Sequence, residues 1–403
     1  MSKEQLLKQF KELKSRNLSL DMSRGKPSKA QLDLSMDMMD VLNSHSSLSD
    51  TYGVDSRNYG GLTGLEECKE LLAELSEVNK EDIIIFGNSS LNVMYECISD
   101  AFLYGICGST PWSKLEKIKW LCPVPGYDRH FAICEHLGIE MINIPLNEDG
   151  PDMDMIEEYI KDPCVKGIWC VPKYSNPTGT TYSNEVVERF AKLKPEAKDF
   201  RIYWDNAYSV HHLYEDKQDH IPEILSLAKK YNNEDIVYKF ISTSKISFPG
   251  SGIAALAASS NNLKDIKKHL EIKTIGYDKV NQLRHVRYFK DLDGIKSQMK
   301  KHADILRPKF EYILSSLEEV KDLCSFTKPH GGYFISLYVP NKAKEVISRC
   351  KEAGLKLTDA GCAYPYHNDP SNSHIRLAPS YMEMDELKEA MKILLLAIKI
   401  ESC

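Results

Sequence analysis

The chain has 403 residues, 42% of them hydrophobic and 27% charged, with a formal net charge of −6. This is ordinary globular usage, long enough for a large core and for roughly two or three domains. No basic excess points to nucleic acid, no acidic block forms a tail, and the longest aliphatic run, residues 393–398, is far too short to span a bilayer.

The N-terminus, MSKEQLLKQFKELK, is charged throughout and lacks the apolar core of a secretory leader, so a cytoplasmic location is expected. Leu6, Leu7, Phe10 and Leu13 recur at helical spacing and predict an amphipathic helix. A short strand at residues 18–22 leads into the turn Ser23-Arg24-Gly25-Lys26-Pro27. Ile83-Ile84-Ile85-Phe86 predicts a buried strand, which Gly87-Asn88-Ser89-Ser90 turns into a helix over 91–102. Further strands are expected at 120–122, 167–171, 200–204, 237–241 and 252–258, with a helix opening after Gly126. Strands alternating with helices predict a mainly parallel sheet flanked by helices, an α/β domain over 46–300.

The last hundred residues mix helices at 304–317 and 346–353 with strands at 332–339 and 374–377. Ser380 and Glu383 have capping-box spacing before a final helix carrying Leu387, Met391, Leu394, Leu395 and Ile398. Residues 1–45 and 301–403 are therefore expected to form a smaller α+β domain, with the N-terminal helix packed on it. Eleven cysteines are scattered without a CxxC pair, which predicts free thiols in a reducing compartment and no metal site.

In a parallel sheet, ligands gather at the carboxyl ends of the strands. The residues that follow the predicted strands are Ser175-Asn176-Pro177-Thr178-Gly179, Asp205-Asn206-Ala207-Tyr208 and Ser242-Thr243-Ser244-Lys245. One end of the sheet should thus present an amide, a carboxylate, a phenol, hydroxyls and a lysine, beside the helix N-terminus after Asn88. A lysine forms an imine with an aldehyde, a carboxylate keeps a pyridinium protonated, an amide and a phenol bond a ring oxygen, and hydroxyls with free helix N–H groups hold a phosphate. That set describes pyridoxal 5'-phosphate. Taken alone, Lys245 reads more readily as a surface lysine and each serine as a turn former, and Asp205 equally as a helix N-cap; their order and company favour the chemical reading.

These segments, together with Leu20-Asp21-Met22-Ser23-Arg24-Gly25-Lys26-Pro27, Asn58-Tyr59-Gly60-Gly61-Leu62-Thr63-Gly64, Pro125-Gly126-Tyr127-Asp128-Arg129-His130 and His374-Ile375-Arg376-Leu377-Ala378-Pro379, resemble the fold-type I enzymes of the aspartate aminotransferase superfamily. The likeness covers nearly the whole chain and is nearest to the bacterial subgroup that resembles the effector domain of MocR-type regulators. It implies that Lys245 carries pyridoxal phosphate as a Schiff base and shuttles a proton, that Asp205 pairs with the ring nitrogen, and that Asn176 and Tyr208 bond the ring oxygen. It assigns Ser89, Ser90, Ser242 and Ser244 to the phosphate, Tyr127 to the ring face, and Arg376, Asn176 and the Gly25 amide to the substrate α-carboxylate. It implies a homodimer in which Tyr59 reaches the phosphate of the other subunit.

The pattern is broken at one place. Most of the superfamily has a phosphate-binding arginine shortly after the lysine, where this chain has Gly252. Lys279 or Arg284 is the expected substitute, and Arg24, Lys26, Lys279 and Arg284 are candidates to read a substrate side-chain carboxylate. The activity implied is ping-pong transfer of an amino group from aspartate or glutamate to an acceptor such as 2-oxoglutarate. Two other readings remain open: a lyase or decarboxylase using the same cofactor, and a ligand-sensing domain of a MocR-like regulator. Against the second, only about twenty residues precede Leu20-Asp21, too few for a winged helix.

Overall fold

A computed structural model of the chain describes residues 2–403. Thirteen strands follow in chain order: β1 (Leu20–Asp21), β2 (Ile83–Ile85), β3 (Lys119–Val124), β4 (Glu140–Asn147), β5 (Gly150–Pro151), β6 (Val165–Cys170), β7 (Arg201–Asp205), β8 (Val237–Ser242), β9 (Ala254–Ala258), β10 (Ser325–Phe326), β11 (Ile335–Tyr338), β12 (Leu355–Lys356) and β13 (His374–Leu377). Eight of them form one sheet in the order β2-β9-β8-β7-β6-β3-β4-β5. The inner pairs β4-β3-β6-β7-β8 are parallel. Every residue of β6, β7, β8 and β9 is buried, as expected for strands covered on both faces.

The two faces feed separate cores. Ile83, Ile85, Ile202 and Trp204 point to one, and Ile84, Tyr203, Trp169 and Phe240 to the other. This alternation is the two-residue period of a strand read out on both sides.

β9 departs from the parallel expectation, pairing antiparallel with both β2 and β8. A parallel return needs a crossover of roughly a dozen residues or more, usually helical. Residues 243–253 hold only a turn and a 3-10 segment, so the chain folds straight back. β4, β5, β10 and β12 had no counterpart among the predicted strands. β4 alternates between buried and exposed positions, and β5, β10 and β12 are two residues each, so none carries a continuous apolar run.

A third core gathers Leu6 and Phe10 of the N-terminal helix Lys3–Ser15, the helix Met384–Glu401, and strands β11 and β13. β10-β11-β13 make an antiparallel sheet, while β1 pairs with β12 in parallel. The helix expected over 304–317 is longer, Leu292–Leu317, because Asp291 caps it by accepting from Gly294 N. The cap of the last helix is also corrected. Glu383 and Glu386 form the capping box, whereas Ser380 Oγ donates to Lys26 O at 2.8 Å and ties down the N-terminal turn. No helix among the described residues is long and apolar enough to cross a membrane.

Three histidines inside this framework are buried as neutral rings. His285 Nδ1 donates to Asn281 O and its Nε2 accepts from Ser247 Oγ at 2.8 Å. Burial lowers His285 and His302 to about 4 and His374 to about 3. A lowered folded pKa means that the unfolded chain binds more protons below its own value of about 6.5. The stability these rings contribute is present above that value and is lost as the pH falls from there towards 4. Each should cost about 1 kcal/mol per pH unit in that window. Thermal unfolding at constant ionic strength should therefore give a Tm that drops clearly between pH 6.5 and pH 5; a flat Tm would contradict neutral burial.

Candidate active site

The carboxyl ends of β6, β7 and β8 open into a cavity of about 560 Å³. Asn176, Asp205, Tyr208 and Lys245 line it from this large sheet. Arg24 and Gly25 enter after β1, Thr358 after β12, and Arg376 from β13.

Asp205 ends β7 and is 5% exposed. Its Oδ1 is buried without a hydrogen-bond partner. Its Oδ2 lies 3.3 Å from His130 Nε2, without the alignment of a hydrogen bond. His130 is itself fixed, stacked on Trp169 with ring centroids 4.4 Å apart and set edge-on to Tyr127 at 4.9 Å. Lys245 Nζ sits 4.8 Å from the centre of the Tyr208 ring and makes no ion pair. Burial pushes the Tyr127 phenol up to about 12 and the Tyr208 phenol higher still, so both are neutral donors in the physiological range.

Lys245 is presented by a turn cinched at its neck. Thr243 N donates to Ile253 O at 2.9 Å, and Ile253 N donates to Thr243 Oγ1 at 2.8 Å. Ile246 N and Ser247 N both donate to Thr243 O, closing the turn around the lysine.

Beside the lysine turn, Ser89 and Ser90 open the helix Ser90–Tyr104. Ser89 is the N-cap, yet its side chain accepts no bond from the helix. The first-turn N–H groups and both hydroxyls are thus free to meet an anion. Ser242 Oγ and Ser244 Oγ are 2.7 Å apart beside them, and Ser244 Oγ donates to Asn88 O.

Arg376 is 7% exposed and reaches the third wall. Its NH1 donates to Asp128 Oδ1 at 2.9 Å and to Asn176 Oδ1 at 3.4 Å. Its NH2 makes only 3.4 Å contacts to Ser23 O and Thr358 Oγ1, and Nε is buried without a partner. Gly25 permits this close assembly, because a Cβ there would stand 2.1 Å from Phe334 Cζ.

The structure brings together Lys245, Asp205, Asn176, Tyr208, Tyr127, the four serines, Gly25 and Arg376. Tyr59 stands apart, 82% exposed and outside the cavity of its own chain. Neither expected substitute for the missing arginine reaches the cavity. Lys279 is buried with Nζ donating to Gly60 O at 2.7 Å, and Arg284 bonds Ser251 Oγ and Asn281 Oδ1. A side chain at Gly252 would start 3.1 Å from Thr243 Oγ1 and 3.2 Å from Ser244 N, so a larger residue there needs the turn to give by a few tenths of an ångström. Lys26 is taken up by the Tyr381 ring, 3.7 Å from its centre.

Of the four cations expected to read a side-chain carboxylate, only Arg24 lines the cavity. Arg129 and Lys356, which join it there, were missed, as was His130 beneath Asp205. Arg129 and His130 stand in the same Tyr127-Asp128-Arg129-His130 run that supplied Tyr127, so the signal was present. Among the described residues, no group of three or more His, Cys, Asp or Glu side chains could hold a metal ion.

A large mixed sheet flanked by helices, with its cavity at the strand ends, is the architecture of the fold-type I aminotransferases. A family model described as aspartate amino-transferase matches residues 2–403. An aspartate aminotransferase from Corynebacterium glutamicum is 45% identical over 96% of this chain and 90% of its own length. The crystal structure of an aspartate transaminase from the same species superposes with a TM-score of 0.96, at 44% identity, covering 99% of this chain and 95% of that one. The α-aminoadipate aminotransferase LysN of Thermus thermophilus, solved as a complex with N-(5'-phosphopyridoxyl)-L-leucine, shares the fold at a TM-score of 0.77 and 19% identity, over 96% of this chain and 94% of that one. The chain belongs to the aspartate aminotransferase family and is an aminotransferase.

Proposed function

We propose that the chain moves an amino group from an L-amino acid, aspartate or glutamate, to a 2-oxo acid such as 2-oxoglutarate, using pyridoxal 5'-phosphate held in the cavity. The observation that carries this reading is Asp205, whose buried Oδ1 has no partner while the residue lines the same cavity as Lys245. A buried carboxylate oxygen is costly until a cation meets it, and a protonated pyridine nitrogen is such a cation. The rest of the donor set fits the same group. Lys245 offers the amine for its aldehyde, Asn176 and Tyr208 bonds to its ring oxygen, Tyr127 a ring to stack, and Ser89, Ser90, Ser242 and Ser244 a cup for its phosphate. Without an arginine at Gly252, hydroxyls and helix N–H groups carry the phosphate.

When bound, the cofactor supplies an electron sink for the pair left at the substrate Cα. Asp205 would keep the ring nitrogen protonated, and Lys245 Nζ would take up and carry the substrate Cα proton. Arg376 orients the α-carboxylate with Asn176 and the Gly25 amide, while Phe334 packs against Gly25 and keeps water from that wall. The first 2-oxo acid leaves before the second enters, in ping-pong order. Arg24 and Arg129, exposed cavity residues whose side chains make no hydrogen bond or ion pair to the protein, read the second carboxylate of a dicarboxylic substrate.

Two further parts of the reading concern the assembly. Residues 46–300 act as the cofactor-binding unit, and 1–45 with 301–403 as the smaller unit that closes the substrate wall, in a cytoplasmic enzyme. Tyr59 serves the phosphate cup of a second copy in a homodimer, which its exposure on its own subunit supports.

The test is the absorbance of the purified protein before and after L-aspartate. A band between about 360 and 430 nm moving to about 330 nm is expected as the cofactor stores the amino group. A band that moves only with other amino acids would remove aspartate, and no band after reconstitution would remove the cofactor. Arg129→Gln should raise the KM for L-aspartate about tenfold or more and leave L-alanine turnover unchanged, since only the former has a second carboxylate.

A further inference from the structure

Arg376 is aimed and nearly buried, yet poorly satisfied. Its one short hydrogen bond is to Asp128 Oδ1 at 2.9 Å; its other hydrogen bonds are at 3.4 Å, Nε makes none, and the guanidinium lies 5.2 Å from the centre of the Phe334 ring. Asp128 is the first residue of the helix Asp128–His136, which packs beside the large sheet, whereas Arg376 belongs to β13 of the C-terminal sheet. The pair thus joins two separately cored parts of the chain across the cavity. The two partners are unequal: the Asp128 side chain is 27% exposed and that of Arg376 only 8%. Asp128 can turn to solvent, and Arg376 cannot.

We propose that Asp128 is an internal stand-in for the substrate carboxylate. In the empty site its carboxylate occupies the guanidinium, holds it in its binding orientation and neutralises a buried charge that would otherwise be costly. The incoming α-carboxylate displaces Asp128, which moves outward to water. Asp128 is therefore a positioning residue that lowers carboxylate affinity in return for a preset Arg376. The proposal rests on the reading of Arg376 as the α-carboxylate clamp.

Self-occupation has a measurable signature. If the guanidinium is free in only a fraction of molecules, the apparent Kd of any competing carboxylate is raised by the inverse of that fraction. The experiment titrates the cofactor-loaded enzyme with succinate, an unreactive dicarboxylate, at fixed ionic strength by isothermal calorimetry. Four proteins are compared: wild type, Asp128→Asn, Arg376→Gln and the double variant.

Asp128→Asn should bind succinate about three- to tenfold more tightly than wild type, a gain that vanishes in the Arg376→Gln background. A purely structural role for Asp128 predicts the reverse, weaker binding. Unchanged or weaker binding in Asp128→Asn overturns the proposal. So does equal tightening without Arg376, which would mean that Asp128 acts on another cation such as Arg129. If Arg376→Gln alone binds succinate as wild type does, the clamp reading itself fails. Asp128→Ser, which keeps a hydroxyl acceptor at the helix start, replaces the asparagine variant should that fail to fold.

Discussion

Lys245→Ala is expected to abolish transamination, lowering kcat by about 10⁴-fold, at the upper end of what a positioned proton carrier contributes. The fold should survive, because Lys245 makes no ion pair and its turn is closed by backbone and Thr243 bonds that the substitution leaves intact. The measurement pairs steady-state rates with circular dichroism and the visible absorbance of the reconstituted protein. A variant that keeps its fold and still binds the cofactor, yet loses the rate, fits the assignment. Retention of activity within about tenfold would transfer the chemistry to another residue, and the buried Lys173, Lys239 and Lys309 all lie outside this cavity.

Asp205→Asn should separate function from stability. Losing the charge that holds the ring nitrogen protonated is expected to lower kcat by about 10² to 10³-fold, the scale of removing one preorganised electrostatic contact. The cofactor-free protein should melt at the same or a higher temperature than wild type. Its Asp205 buries one carboxylate oxygen without a partner, and a neutral amide of the same size removes that penalty. Asp205→Glu keeps the charge and moves it by one methylene, so it tests position apart from charge. A large drop in cofactor-free Tm with Asp205→Asn would show that the residue serves the fold first, through His130 and Trp169.

Several strands of the large sheet were legible because their burial is continuous: three successive isoleucines in β2, and the mostly apolar segments of β6 and β8, are visible in one dimension. β4 was not, since its half-exposed alternation between polar and apolar residues resembles a loop. The direction of β9 depends on how much chain lies before it, a length argument rather than a composition one. Within the site, residues directly after strands were readable by position alone. Arg129 and Lys356 were not, because whether a surface cation faces a cavity depends on two segments far apart in sequence. Lys279 shows the converse: a cation well placed in sequence is consumed by the Gly60 carbonyl. Ser380 illustrates a motif matched by spacing but used for another contact, the Lys26 carbonyl.

The cinched neck around Thr243 and Ile253 also says where this scaffold resists redesign. Its two strands leave the neck in opposite directions, and His285 wedges Ser247 from behind at 2.8 Å. An added residue between 243 and 253 has no slack to fill. It would work as a lever, swinging the amine away from the Asp205 wall while the strands stay fixed.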